Sequence, residues 1–261
     1  MLLAFDIGNT NIVIGLFESQ KLKHKWRLGS DNKKSADDYA IDIIELLLTQ
    51  KIDCLKINGC IIASVVPQLT GRVLEAVKKF TSQSMTGEIL VVGESGVNLE
   101  IDIQVNNKNE VGFDRLINAI AGFQKFGGNL IIVDFGTATT FDVVGKNGEY
   151  LGGAIAPGIN LSLKALHDMT AQLPKISLKA QKNVIGKTTI EAMNSGVFFG
   201  YISLVEGMIK RIEDELGTKT TRIITGGLAE IFKHNLNQTI NHFEPDLTLE
   251  GLLAVHKKNS K

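Results

Sequence analysis

The chain has 261 residues, 44% of them hydrophobic and 21% charged, a balance that excludes a low-complexity or disordered protein. Lys+Arg and Asp+Glu number 28 each, so no basic excess draws the chain to nucleic acid or to an anionic membrane. No apolar run approaches the ~18 residues of a membrane span, and Met1 to Asp6 lacks the basic region of a signal peptide.

Two cysteines, Cys54 and Cys60, have no nearby histidine cluster and make neither a zinc site nor a disulfide framework. The expectation is a soluble cytoplasmic protein of one large or two smaller domains.

Leu2 to Phe5 reads as a strand, Asp6-Ile7-Gly8-Asn9-Thr10-Asn11 as a turn, and Ile12 to Phe17 as the returning strand of a hairpin. Lys21 to Lys25 reads as solvated surface. Asp38 to Gln50 has helical periodicity, with Tyr39, Ile43, Leu46 and Leu47 on its apolar face. Cys60 to Val66 is a predicted strand ended by Pro67, Leu69 to Phe80 a helix, and Glu88 to Val92 a strand. Asn98 to Asn109 is polar and poorly periodic, a loop near a lobe boundary.

The opening layout then returns. Leu130 to Val133 is a strand, Asp134-Phe135-Gly136-Thr137-Ala138-Thr139-Thr140 a turn, and Phe141 to Val144 a strand. Asp6 and Asp134 stand 128 residues apart, almost half the chain, which indicates an internal duplication and two similar lobes. A long helix is predicted from Thr188 to Leu216, with Thr188 and Glu191 at capping-box spacing and Gly217 at its end. Arg222 to Thr225 is a strand, Gly226-Gly227 a turn, and Leu228 to His234 a helix. Lys257 to Lys261 reads as surface, and Phe198 and Phe199 as core or dimer packing. Strands alternating with helices in two such units predict an α/β fold of two lobes with a nucleotide cleft between them. The lobes are expected at 1–114 and 115–261, with the last helix packing back on the first.

A phosphate chain needs N–H donors at close range, small side chains, and an acid for a divalent cation. Both hairpin turns supply all three, although tight turns use Gly, Asn and Asp in any case. The matched pair, with Thr225-Gly226-Gly227, favours a nucleotide site. Gly112-Phe113-Asp114-Arg115 opens an apolar-periodic helix carrying Leu116, Ile117, Ile120, Ala121 and Phe123. From spacing alone Asp114 caps that helix; the functional alternative is a general base, with Arg115 beside it to hold an anion.

Together with Ser64-Val65-Val66-Pro67, Glu110 to Arg115, Gly152 to Gly158 and Thr189 to Met193, these pieces occur in an order that resembles the type III pantothenate kinase family, within the actin-like ATPase superfamily. The resemblance implies two duplicated ribonuclease H-like (actin-like) lobes. It implies ATP-dependent phosphorylation of pantothenate, the first step of coenzyme A synthesis, in a homodimer.

Residue by residue, Asp6, Ile7, Gly8, Asn9, Thr10, Asn11, Ile12 and Val13 are the implied first phosphate loop, with Asp6 near Mg²⁺. Thr137, Gly226 and Gly227 complete the ATP site, and Asp134 helps bind a monovalent cation, K⁺ or NH₄⁺. Asp114 is the implied catalytic base, Gly112, Phe113, Asp114 and Arg115 line the substrate site, and Thr189 contacts pantothenate. Many members carry a Tyr and a Pro where this chain has Val105 and Lys108, so no tyrosine contact is carried over, and Phe113 stands where a small residue is usual. Two other readings of the same motifs are a kinase of another small alcohol and a non-enzymatic, nucleotide-dependent regulator resembling Bvg accessory factor.

Overall fold

Leu3, Phe5 and Ile7 alternate along β1 (Leu2–Ile7) and enter one core, while Leu2 and Ala4 are buried as well, so the strand is covered on both faces. The computed structural model describes residues 1–81 and 88–260; Lys261, a predicted surface residue, lies outside the described residues. Two compact units emerge, one of Met1–Glu100, Asn109–Ala121 and Thr248–Lys261, the other of Ile101–Lys108 and Gly122–Leu247.

In the first unit β1 pairs antiparallel with β2 (Asn11–Glu18), which pairs antiparallel with β3 (Lys21–Gly29). On its other side β1 pairs parallel with β4 (Gly59–Ser64), which pairs parallel with β5 (Ile89–Val91). The sheet order is β3-β2-β1-β4-β5. Helices α1 (Ala36–Thr49) and α2 (Pro67–Thr81) bury Tyr39, Ile43, Leu47, Leu69, Val73 and Val77 in the core that takes Leu3, Phe5 and Ile7. A capping box between Ser35 and Asp38 starts α1 ahead of the first periodic residue. Pro67 opens α2 rather than ending β4, because proline costs nothing at a first helical position.

Lys21 to Gly29, absent from the predicted elements, is an edge strand. Lys21, Lys23, Lys25 and Arg27 are exposed, and Leu22, His24, Trp26 and Leu28 between them are half-buried. Trp26 and Leu28 pack on the first core, and the His24 and Trp26 rings stack with centroids 5.4 Å apart. Cations on the outer face of an edge discourage pairing with another chain.

Helix α3 (Phe113–Phe126) supplies its first residues to the first unit and its last to the second. There the plan repeats. β6 (Leu130–Phe135) pairs antiparallel with β7 (Ala138–Val144), which pairs with β8 (Tyr150–Pro157). Helices α4 (Ile159–Asp168) and α5 (Thr189–Leu216) come after it, then β9 (Thr221–Thr225), the short α6 (Ala229–Phe232) and β10 (His242–Phe243). The order β10-β9-β6-β7-β8 is the first sheet's order read from the other edge. Phe198 of α5 is fully buried and stacks on Phe232 at 5.3 Å, with Phe135 4.8 Å from Phe232.

Helix α7 (Leu247–Asn259) belongs to the first unit from Thr248 onward. A Cβ on Gly251 would meet Ile117 of α3 at 2.5 Å, and one on Gly15 would meet Leu249 at 3.0 Å. Thr248 donates to Asn118 Oδ1 at 2.8 Å.

Thr188 caps α5, accepting from the Glu191 N–H, while the Glu191 carboxylate takes the Lys187 N–H instead of closing the predicted box. The helix ends at Gly217, at φ 65°. Near that end Glu213 accepts from Arg222 Nε and Nη2, both at 2.9 Å, and from Lys219 and Thr220. Burial alone would raise the Glu213 carboxyl, but Arg222, Lys219 and Thr220 outweigh it and hold it at about 2.

A carboxyl held below its unfolded value contributes stability that is complete above about pH 4.3 and is lost as pH falls through its folded pKa. Glu213→Gln is therefore expected to lower the denaturant midpoint at neutral pH, by about 3 kcal/mol of stability. The gap from the natural protein should close as titration runs from pH 4 down to about 2.

Candidate active site

Each sheet's central strand carries a carboxylate one residue before its end, ahead of a short turn. Asp6 is half-buried, opposite Val13 on β2 and Ala63 on β4. Asp134 is half-buried opposite Thr140 on β7 and Thr225 on β9. Within the predicted stretch Asp6 to Val13, Ile7 and Ile12 are core side chains and can offer a ligand only backbone. Asn9 and Thr10 are exposed at the turn. A Cβ on Gly8 would stand 3.2 Å from the Asn11 carbonyl oxygen, and the Gly8 N–H donates to that oxygen at 2.9 Å.

The Val65 N–H donates to the Ile7 carbonyl at 3.0 Å, which holds the Ser64 to Pro67 turn beside the end of β1. Ser64 Oγ accepts from the Val66 N–H at 2.9 Å. Gly112 comes next. A Cβ there would lie 3.6 Å from Val65 Cγ1 and 2.5 Å from Asp114 Oδ1, so the carboxylate folds back over the space that glycine leaves.

Asp114 stands in the first turn of α3 and accepts from the Arg115 N–H at 2.9 Å. Burial pushes its carboxyl above the ordinary range, and the N–H and charge of Arg115 pull it the other way. The Phe113 ring covers Gly93, where φ is +94° and a Cβ would meet Phe113 Cζ at 2.3 Å. The large residue at 113 thus has a partner in the loop after β5, one that no motif marked.

In the second unit the Thr225-Gly226-Gly227 turn leaves β9 against Asp134. Gly226 has φ +96°, and a Cβ on it would stand 2.4 Å from Asp134 Oδ1. Gly136 and Thr137 are exposed at the hairpin turn. Thr189 is the exposed first residue of α5. Val105 rests on Gly152, at 3.5 Å from a Cβ there, in a segment bound to β8 through Gln104 and Tyr150.

The structure therefore gathers Asp6 to Val13 with Gly112 to Arg115 at one end of the first sheet. It gathers Asp134, Thr137, Gly226 and Gly227 in the second unit. Among the described residues no group of three His, Cys, Asp or Glu side chains could hold a metal ion. Single carboxylates beside glycine turns suit a cation that takes its remaining ligands from phosphate and water, as Mg²⁺ does. A recess of about 660 Å³ in the first unit, bordered by Lys78, Glu88 and Glu94, contains none of these residues.

Residues 2–211 match the model of the type III pantothenate kinases. The chain belongs to that family. A type III pantothenate kinase of Paramagnetospirillum magneticum is 45% identical over 260 residues, 100% of this chain and 98% of that protein. One of Moorella thermoacetica is 44% identical over 260 residues, 100% of both chains.

Among solved structures, a Baf-family protein of Campylobacter jejuni superposes with a TM-score of 0.60 at 18% identity over 98% of each chain. A ROK-family glucokinase of Streptomyces griseus, in complex with glucose and AMPPNP, gives 0.53 at 10% identity over 98% of this chain and 99% of its own. These two share the fold, an α/β arrangement of duplicated actin-like units.

Gly112→Ala would drive a methyl group into Asp114. The expected result is a fall in pantothenate-dependent ADP release of about a hundredfold, the cost of misplacing a reacting group by ~1 Å, with ATP affinity nearly unchanged. Equal losses in turnover and ATP affinity would contradict a local effect on Asp114.

Proposed function

We propose that this chain transfers the γ-phosphoryl group of ATP to the primary hydroxyl of pantothenate, giving 4′-phosphopantothenate and opening coenzyme A synthesis. The observation that carries the reading is the Gly112 to Arg115 cluster beside the end of β1, where a half-buried carboxylate lies near a predicted phosphate turn. Full-length relatives named type III pantothenate kinase point the same way.

In this reading the pantothenate hydroxyl oxygen attacks the γ-phosphorus in line. The new O–P bond forms as the bond from the γ-phosphorus to the bridging oxygen breaks, and ADP leaves with that electron pair. Asp114 accepts the hydroxyl proton, and its desolvated setting makes it a stronger base than an exposed carboxylate. Arg115 and Thr189 orient the substrate. Backbone donors of the Asp6 to Asn11 turn and of Thr137, Gly226 and Gly227 hold the phosphates.

Asp6 would hold Mg²⁺, and Asp134 a monovalent cation, K⁺ or NH₄⁺. When bound, these ions neutralise phosphate charge as it moves to the leaving group. The reading places the protein in the cytoplasm, where its nucleotide donor is found; no described helix is long and apolar enough to cross a membrane.

The dimer in this reading forms along α5. Ala192, Gly196 and Gly200 recur every fourth residue beside a shallow groove, and Val184, Ile185 and Ile190 near the helix start are exposed. A Cβ on Gly196 or Gly200 would meet nothing within 4 Å, so Gly200→Trp burdens the protomer little while obstructing a facing helix. Light scattering is expected to show a dimer for the natural chain and a monomer for the variant. A variant that remains dimeric would rule out this face.

Asp114→Asn is expected to leave ATP binding nearly intact and lower turnover by ~10²-fold or more. In the natural enzyme kcat should fall on the acid side as Asp114 is protonated, at a pH above the ordinary carboxylate range. ADP release assayed with pantothenate and with a panel of sugars tests the substrate, and K⁺ exchanged for Na⁺ tests the cation. Faster turnover of a sugar would replace pantothenate as the acceptor.

A further inference from the structure

The two hairpin turns are backed by residues at equivalent positions with different chemistry. In the second unit Gly158, the residue after β8, presses against the turn. A Cβ on it would stand 2.0 Å from the Thr137 carbonyl oxygen and 2.9 Å from that of Gly136, so no side chain fits there. The residue 128 places earlier, the offset that also separates Asp6 from Asp134, is Ser30, directly after β3. Ser30 has a side chain where its counterpart cannot.

Ser30 Oγ donates to the Gly8 carbonyl at 2.6 Å. The Ser30 N–H donates to the Thr10 carbonyl at 3.0 Å, and the Gly8 N–H donates to the Asn11 carbonyl at 2.9 Å. The carbonyl oxygens of Gly8, Thr10 and Asn11 are thus each bound to a donor of the protein itself. This matters for an anion site, because a carbonyl oxygen turned toward a triphosphate sets negative partial charge against negative charge. A turn that receives phosphate must keep its oxygens engaged elsewhere and present N–H groups.

The segment after Ser30 is anchored in turn. Tyr39, fully buried in α1, donates to the Asp31 carbonyl at 3.0 Å and accepts from the Asp31 N–H at 2.9 Å. Arg72 of α2 donates to the carbonyls of Asn32 and Lys34. The hydroxyl that reaches Gly8 is therefore tied through two helices to the core, all within the first unit.

We infer that Ser30 is a positioning residue for the nucleotide, its hydroxyl holding back the Gly8 carbonyl so that the Asp6 to Asn11 turn meets the ATP phosphates with donors. The inference rests on the reading that this turn binds those phosphates.

Ser30→Ala, Ser30→Gly and Ser30→Thr in the full chain test it, with KM measured separately for ATP and pantothenate and thermal midpoints recorded. Ala and Gly are expected to raise the ATP KM about tenfold, the worth of one hydrogen bond in a charged setting. The pantothenate KM should stay unchanged, and Thr, which keeps the hydroxyl, should restore the natural value. An unchanged ATP KM in a folded Ala or Gly variant overturns the inference, as does an equal rise for both substrates or a failure of Thr to restore.

Asp6→Asn separates the two levels. If it raises the ATP KM while Ser30→Ala does not, only the role of Ser30 falls. If neither variant changes the ATP KM, the turn is not the phosphate site and both readings fall.

Discussion

A strand buried on both faces can carry a carboxylate cheaply only at its end, where one side of the group reaches polar neighbours or water. β1 and β6 are such strands, and Asp6 and Asp134 stand one residue before each runs out. Pairing on either side makes the position distinctive. An antiparallel hairpin on one flank supplies a turn in the same register, and a parallel strand on the other delivers its own carboxyl end there. β4 contributes Ser64 in this way, and β9 contributes Thr225. The gathering of polar turns at one end of each sheet is a consequence of this arrangement, as it is in other open α/β sheets. Asp142 tests the rule from the opposite direction: it is fully buried within β7, and it accepts from Tyr150 at 2.8 Å and from Thr140 at 3.0 Å.

The behaviour of the turns is set largely by missing atoms. Gly112 leaves room for the Asp114 carboxylate, Gly226 for that of Asp134, and Gly93 for the Phe113 ring. Each absent Cβ brings a backbone to within contact of a candidate site side chain or of one that supports it. Phosphoryl transfer asks a protein for positioning and charge stabilisation more than for covalent chemistry. A site made of backbone, glycine and a few carboxylates is matched to that demand.

The parts legible in the sequence were those where one local rule sufficed. The two Asp-x-Gly openings, the capped and glycine-ended α5, and the apolar stripes of α1 to α3 all arise from spacing within a single element. β3 escaped because four of its nine residues are cations; their alternation with Leu22, His24, Trp26 and Leu28 is a strand signal that the charge conceals. α4 was not read as an element, and α7 was expected only as a last helix without bounds, because it takes its partners, Gly15 and Ile117, from distant parts of the chain. At the site, the motif residues were visible, but the reason for Gly112 needed Asp114 in three dimensions, and the place of Phe113 needed Gly93. Ser30 carries no local signal, since its partner is a backbone carbonyl 22 residues away.

The duplication also shows where the two halves ceased to be interchangeable. Both keep the five-strand order and a carboxylate near the end of the central strand. They diverge beyond the three-stranded antiparallel opening. The first unit passes through α1 and α2 of 14 and 15 residues, and these helices hold the Ser30 segment through Tyr39 and Arg72. The second brings Gly158 directly onto its turn and then commits 28 residues to α5. A turn braced by side chains can be tuned by substitution, whereas one braced by backbone contact tolerates almost none. By that measure the first hairpin, the proposed phosphate turn, is open to adjustment by substitution, and the second is held to one geometry.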